Sequence, residues 1–166
     1  MRIAVCALAD LDVEIERHRP SRIVSLMNPD HAAPSLERVT PHLVLRFNDL
    51  SEPRPGYKEP GGGAIAQLLN FVACAPVSEA VLVHCWMGIS RSPAAAFILA
   101  CARRPQVLEA EIAQALRAAS PSATPNPMLV RLADDHLRRE GRMVAAIAGI
   151  GRGAEARRGM PFTLEL

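Results

Sequence analysis

Cys85 is followed by five residues and then by Arg91 and Ser92, within the segment VLVHCWMGISRSPAAA that covers positions 81–96. That interval can wrap the chain into a tight semicircle whose N–H groups point inward. Such a nest at the start of a helix binds a tetrahedral oxyanion. Arg91 closes the ring, and its planar fork can grip two phosphate oxygens. Gly88 supplies backbone freedom for the turn. The same amide dipoles, helix start and guanidinium favour the thiolate of Cys85 over its thiol, and a thiolate is the nucleophile for covalent attack on phosphorus. Ser92 can donate a hydrogen bond to the sulfur, which makes it a better leaving group in a second step. His84 either braces the loop through its ring nitrogens or is an ordinary core histidine. Trp86, Met87, Gly88, Ile89 and Ser90 line the anion together with Arg91; Trp86 is either a pocket wall or packing at the rim.

The elements around this segment must present it at the end of a strand. Residues 80–84 (AVLVH) read as a buried central strand, and SPAAAFILACA after Arg91 as a buried helix with Pro93 in its first turn. Upstream, residues 2–8, 22–27 and 42–48 read as strands and 11–18 as a short helix. Three prolines make 28–41 a loop. The Pro- and Gly-rich stretch 49–63 is long for a compact domain, and long ordered loops are usually functional. Ile65, Leu68, Leu69 and Val72 fall at helical spacing in 64–75. Downstream, 107–119 is amphipathic, Asn126 and Pro127 are an N-cap and first turn for a helix over 127–139, and 142–150 is a possible further helix. Residues 151–166 read as a tail, loose or laid along the surface. Strands with interleaved helices, followed by helices alone, predict an α/β fold: a mostly parallel sheet of about four to five strands flanked by helices, with a helical C-terminal part. Such sheets bind ligands at the carboxyl ends of their strands. The expected organisation is one domain over 1–150 followed by the tail.

Composition narrows the partners. With 49% apolar residues the chain can build a core, and its formal charge of +2 is too small to argue for nucleic acid or an anionic membrane. Aromatic residues are scarce, which disfavours base stacking. Lys58 is the only lysine; arginine carries the remaining basic charge. No apolar run reaches the length of a membrane-spanning helix, and the opening residues turn acidic too early for a secretory signal. Cys6, Cys74, Cys85 and Cys101 contain no CxxC pair, which fits neither a zinc site nor a disulfide framework. A reducing cytoplasm, with no metal and no cofactor, is the expected setting.

His84, Cys85, Gly88, Arg91 and Ser92 resemble the active-site signature of the cysteine-based protein tyrosine and dual-specificity phosphatases. The element order over 1–140 is also similar to that of the small dual-specificity-like members, and the chain looks especially like small bacterial tyrosine-phosphatase-like proteins. The resemblance implies a phosphotyrosine-phosphatase-like fold and hydrolysis of phosphate monoesters through a phosphocysteine. The substrate would be a phosphorylated protein, phosphotyrosine first and phosphoserine or phosphothreonine next, or a small phosphate monoester. It also implies a general-acid aspartate on a loop after a strand, upstream of the cysteine. Asp49, in LRFNDLSEP, occupies such a position, with Glu52 as the competing carboxylate. Two departures stand out: Met87 replaces a frequent alanine, and no Trp-Pro-Asp loop is present.

Three rivals share the signal. A non-catalytic phosphate-binding module would keep the loop but not the turnover. A rhodanese-like sulfurtransferase also sets a cysteine before an anion-binding turn, but it does not call for Arg91-Ser92 or an upstream acid. A lipid or polyphosphate phosphatase would want lysines in the loop, and positions 86–90 carry no charge.

Overall fold

The computed structural model describes residues 1–36, 40–76 and 78–165. Part of the loop expected over 28–41 therefore lies outside the described residues. Among the described residues five strands form one sheet in the order β3-β2-β4-β1-β5. Strands β1 (Arg2–Ala7), β2 (Arg22–Met27), β3 (His42–Arg46) and β4 (Ala80–Cys85) are parallel. Every residue of β4 is buried, as is all of β1 beyond Arg2. That accounts for their continuous apolar runs, since a parallel strand covered on both faces has no polar side.

The short helix α1 (Leu11–His18) covers one face, where Leu11 and Ile15 pack on Ala4, Cys6, Ile23 and Leu82. The other face carries α2 (Gly62–Ala73), α3 (Arg91–Arg103), α4 (Glu109–Ala119), α5 (Pro127–His136) and α6 (Arg142–Ile150). Helix α3 is buried from Arg91 to Cys101, as its apolar, alanine-rich sequence requires. Asn126 caps α5 by accepting from the Leu129 N–H at 2.9 Å, with Pro127 in the first turn. Helix α6 has no cap of its own sequence. Buried Asp134 of α5 supplies it, accepting from the N–H groups of Gly141 and Met143 at 2.7 Å each. Among the described residues no helix is long and apolar enough to cross a membrane.

The tail divides into a surface strap and a strand. Residues 151–159 form a strap that is tied down repeatedly. The Arg117 guanidinium donates to the Gly151 carbonyl at 2.9 Å, and the Ala154 N–H donates to Pro121 O at 2.9 Å. Beyond it, Phe162–Glu165 is β5, paired antiparallel with β1, with Phe162 and Leu164 buried. The alternation Phe-Thr-Leu-Glu is the period of a half-buried strand, but four residues inside a charged, glycine-rich stretch give too short a signal to separate from coil.

Candidate active site

Cys85 ends β4, and Arg91 and Ser92 begin α3. The turn between them is pinned from outside. The Trp86 carbonyl accepts from Leu8 N at 3.3 Å, Met87 O from Gly159 N at 2.9 Å, Ile89 O from Thr124 N at 2.8 Å, and Ser90 O from Asn126 N at 3.2 Å. In a trans peptide the C=O and the following N–H point opposite ways. Four carbonyls turned outward therefore turn the amides of Met87, Gly88, Ser90 and Arg91 inward. The Gly88 amide reaches Cys85 Sγ at 3.3 Å, and Ser92 Oγ lies 3.1 Å from the same sulfur. Gly88 has φ +69°, and a Cβ there would sit 2.8 Å from the Ala7 nitrogen. Only glycine fits this conformation and this closeness at once.

Arg91 is 3% exposed. Its Nη1 donates to Asn28 Oδ1 at 2.7 Å and to the Phe47 carbonyl at 3.2 Å. These bonds hold one edge of the guanidinium and leave Nε buried without a hydrogen-bond partner among the described residues. A buried donor left unpaired is costly, and an oxyanion in the loop would satisfy it.

Asp49 follows β3 and lies over the loop. Its Oδ1 accepts from Ser90 Oγ and from Asn126 Nδ2, each at 2.7 Å, and its Oδ2 is 3.7 Å from Arg91 Nε. Glu52 is exposed and is not among the residues that line the cleft. The cleft holds about 600 Å³ and is bounded by Trp86 and Met87 on one side and by Tyr57 on the loop after β3. Trp86 stacks against His31, ring centroids 4.5 Å apart, and stays about half exposed. The structure thus brings together Cys85, Trp86, Met87, Gly88, Ile89, Ser90, Arg91, Ser92 and Asp49.

His84 reaches the neighbouring strand. Its Nε2 bonds Ser25 Oγ on the neighbouring strand, and His42 Nε2 lies 2.7 Å from the same hydroxyl. Burial lowers the His84 pKa to about 4, with the charges of His42 and Arg91 acting in the same direction. The unfolded ring binds a proton near pH 6.5 while the folded ring does not until about pH 4, so stability present above 6.5 is lost as pH falls between those values. Urea titrations at pH 7 and pH 5, a window in which carboxylates barely titrate, are expected to differ by roughly 2 kcal/mol. Equal midpoints at the two pH values would mean that the ring is not held neutral.

Several cleft residues carried no readable signal. Asn28 orients Arg91 from a loop of ordinary composition. Asn126 was legible as a helix cap, but its second task, holding Asp49 and the Leu50 carbonyl (2.9 Å), joins segments far apart in sequence. Arg157 reaches the cleft from the strap. Among the described residues no group of three or more His, Cys, Asp or Glu could hold a metal ion.

No family model and no curated protein matches the chain. Solved structures do. DUSP15 superposes with a TM-score of 0.61 at 20% identity, covering 93% of this chain and 94% of its own. The Yvh1 phosphatase domain from Chaetomium thermophilum gives 0.63 at 19% identity over 85% and 93%. PTPMT1 in complex with PI(5)P gives 0.63 at 11% identity over 88% and 94%. The chain has the fold of the tyrosine and dual-specificity phosphatases.

Proposed function

We propose that the chain is a cysteine-dependent phosphatase that hydrolyses phosphate monoesters, above all phosphorylated protein side chains, phosphotyrosine first and phosphoserine or phosphothreonine next. One observation carries the reading: a ring of inward amides around Cys85 Sγ beside the buried Nε of Arg91, which has an ion-pair contact with Asp49 but no hydrogen-bond acceptor among the described residues. Amides and guanidinium neutralise the equatorial oxygens as the thiolate attacks in line. The S–P bond forms, the P–O bond to the leaving group breaks, and Asp49 gives its proton to the departing oxygen. In the second step Asp49 takes a proton from water, the water oxygen attacks phosphorus, and the S–P bond breaks. Ser92 steadies the returning thiolate from 3.1 Å.

The uncharged side chains at 86–90 suit one phosphate at the loop, and the acid at Asp49 favours hydrolysis over sulfur transfer. The test is anion binding together with turnover. Vanadate or sulfate is expected to raise the melting temperature and to inhibit hydrolysis of p-nitrophenyl phosphate competitively, and Arg91→Ala is expected to lose both effects. Sulfur transfer from thiosulfate to cyanide, with no phosphate released from any ester, would reverse the assignment.

A further inference from the structure

A phosphate monoester leaves part of the cleft's charge unanswered. The dianion is met by the loop amides and Arg91, and Asp49 is already engaged by Ser90, Asn126 and Arg91. Arg54 and Arg157 also line the cleft, from opposite parts of the chain. Arg54 lies with its Cζ 4.8 Å from the centre of the Tyr57 ring, a contact that leaves its N–H donors free for an anion. Arg157 has no hydrogen bond or ion pair among the described residues, and the strap is held on both sides of it. Ala154 is bonded to Pro121 before it, and Arg158 is paired with Asp10 at 3.4 Å and Gly159 bonded to Met87 after it. Glu155 and Arg152 share a neighbouring hollow with Arg157, without an ion pair among them. Two exposed guanidinium groups in one cleft, neither in an ion pair among the described residues, are an incomplete anion site.

We infer that the cleft accepts a phosphorylated peptide bearing an acidic side chain beside the phosphorylated residue, with that carboxylate held by Arg157 and Arg54. The inference rests on the phosphatase reading and specifies its substrate. A peptide is favoured over a compact metabolite because the mouth is open and edged with partly exposed Trp86, Met87 and Tyr57, surfaces that a chain continuing past the phosphate can cover.

Trp86 is the only tryptophan, so its fluorescence reports occupancy of the cleft. Binding is measured on the Cys85→Ser chain with matched phosphotyrosine peptides whose flanks are acidic or neutral. The acidic peptide is expected to bind about threefold to fivefold more tightly at low salt, the scale of a partly exposed charge pair, and the advantage should shrink as salt rises. Arg157→Ala should bring the acidic-to-neutral ratio close to one, and Arg157→Glu should invert it. Arg152→Ala removes the same charge from the strap outside the cleft and should keep the ratio. A wild-type ratio of one, or a ratio unchanged by both Arg157 variants, overturns the inference. So does a doubly anionic small phosphate that outcompetes the acidic peptide, which would assign the second anion to a metabolite. Hydrolysis of p-nitrophenyl phosphate by the unsubstituted enzyme separates the two layers. If it proceeds while the ratio is one, the substrate inference alone falls; if it is absent along with anion binding, the phosphatase reading falls with it.

Discussion

Cys85→Ser is expected to reduce turnover of every phosphate monoester to background while substrate binding survives. Serine is close to isosteric, so the four outward carbonyl anchors at 86, 87, 89 and 90 are untouched, and the amides they orient still face the anion. What is lost is the nucleophile. A hydroxyl is far harder to ionise than a thiol, and its hydrogen-bond neighbours among the described residues, Ser92 and the Gly88 amide, include no base to take its proton. The measurement is paired: phosphate release, and retention of a phosphopeptide by the inactive protein. Residual hydrolysis within tenfold of wild type would mean that the reaction does not pass through a phosphocysteine. Loss of binding together with turnover would mean that the substitution collapsed the loop rather than removed the nucleophile.

Asp49→Asn should act more selectively. General acid–base catalysis contributes about 10²–10⁴ in rate, in proportion to how badly the leaving group needs a proton. A tyrosyl or alkyl oxygen needs one, whereas p-nitrophenolate departs readily without it. Phosphopeptide hydrolysis should therefore fall by about 10²–10⁴ and p-nitrophenyl phosphate hydrolysis by less. The basic limb of the pH profile, set by loss of the Asp49 proton, should flatten. Asparagine keeps an acceptor for Ser90 and for Asn126 Nδ2, so the loop after β3 stays docked and the change reads as chemistry rather than as displacement. An unchanged basic limb, with phosphopeptide turnover near wild type, removes Asp49 from the mechanism. Glu52 would be the next carboxylate to test, although its exposed position away from the cleft gives it no route to the leaving group without movement of the loop.

The parts of this site that could be read from sequence are those whose chemistry is local. From Cys85 to Ser92 the residues share one turn, so spacing alone constrains what they can do. The buried strand and the buried helix on either side announce themselves by continuous apolar runs. Asn126 was legible through the proline after it, because a cap and its helix are adjacent. Its grip on Asp49 was not, because nothing in a single sequence reports contact between segments so far apart. The same holds for Asn28 on Arg91 and for the meeting of His84, Ser25 and His42. That meeting depends on strand order, and strand order is set by packing of the whole sheet. The strap was hidden for a different reason: it is held mainly through backbone groups, which leave no mark on residue type except where a side chain would collide. Gly159 is such a place, since a Cβ there would lie 2.5 Å from the Gly88 carbonyl oxygen.

The pairing of β5 with β1, and of Gly159 with Met87, also has a bearing on how the protein is made. Phe162 lies opposite Val5, so nearly the whole described chain separates the two partners. Contacts this distant in sequence close late, because the entropy of the intervening loop must be overcome first. A ribosome-bound chain that has emitted Cys85, Arg91 and Ser92 carries the reactive residues without the strap that holds the Met87 carbonyl outward, and it presents the free edge of β1 to any other chain that can add a strand. The proposed nucleophile is thus synthesised well before its proposed anion hole is complete. Inorganic phosphate or a phosphorylated client, by binding only the finished loop, would draw the last closure forward and act as a folding ligand as well as a reactant.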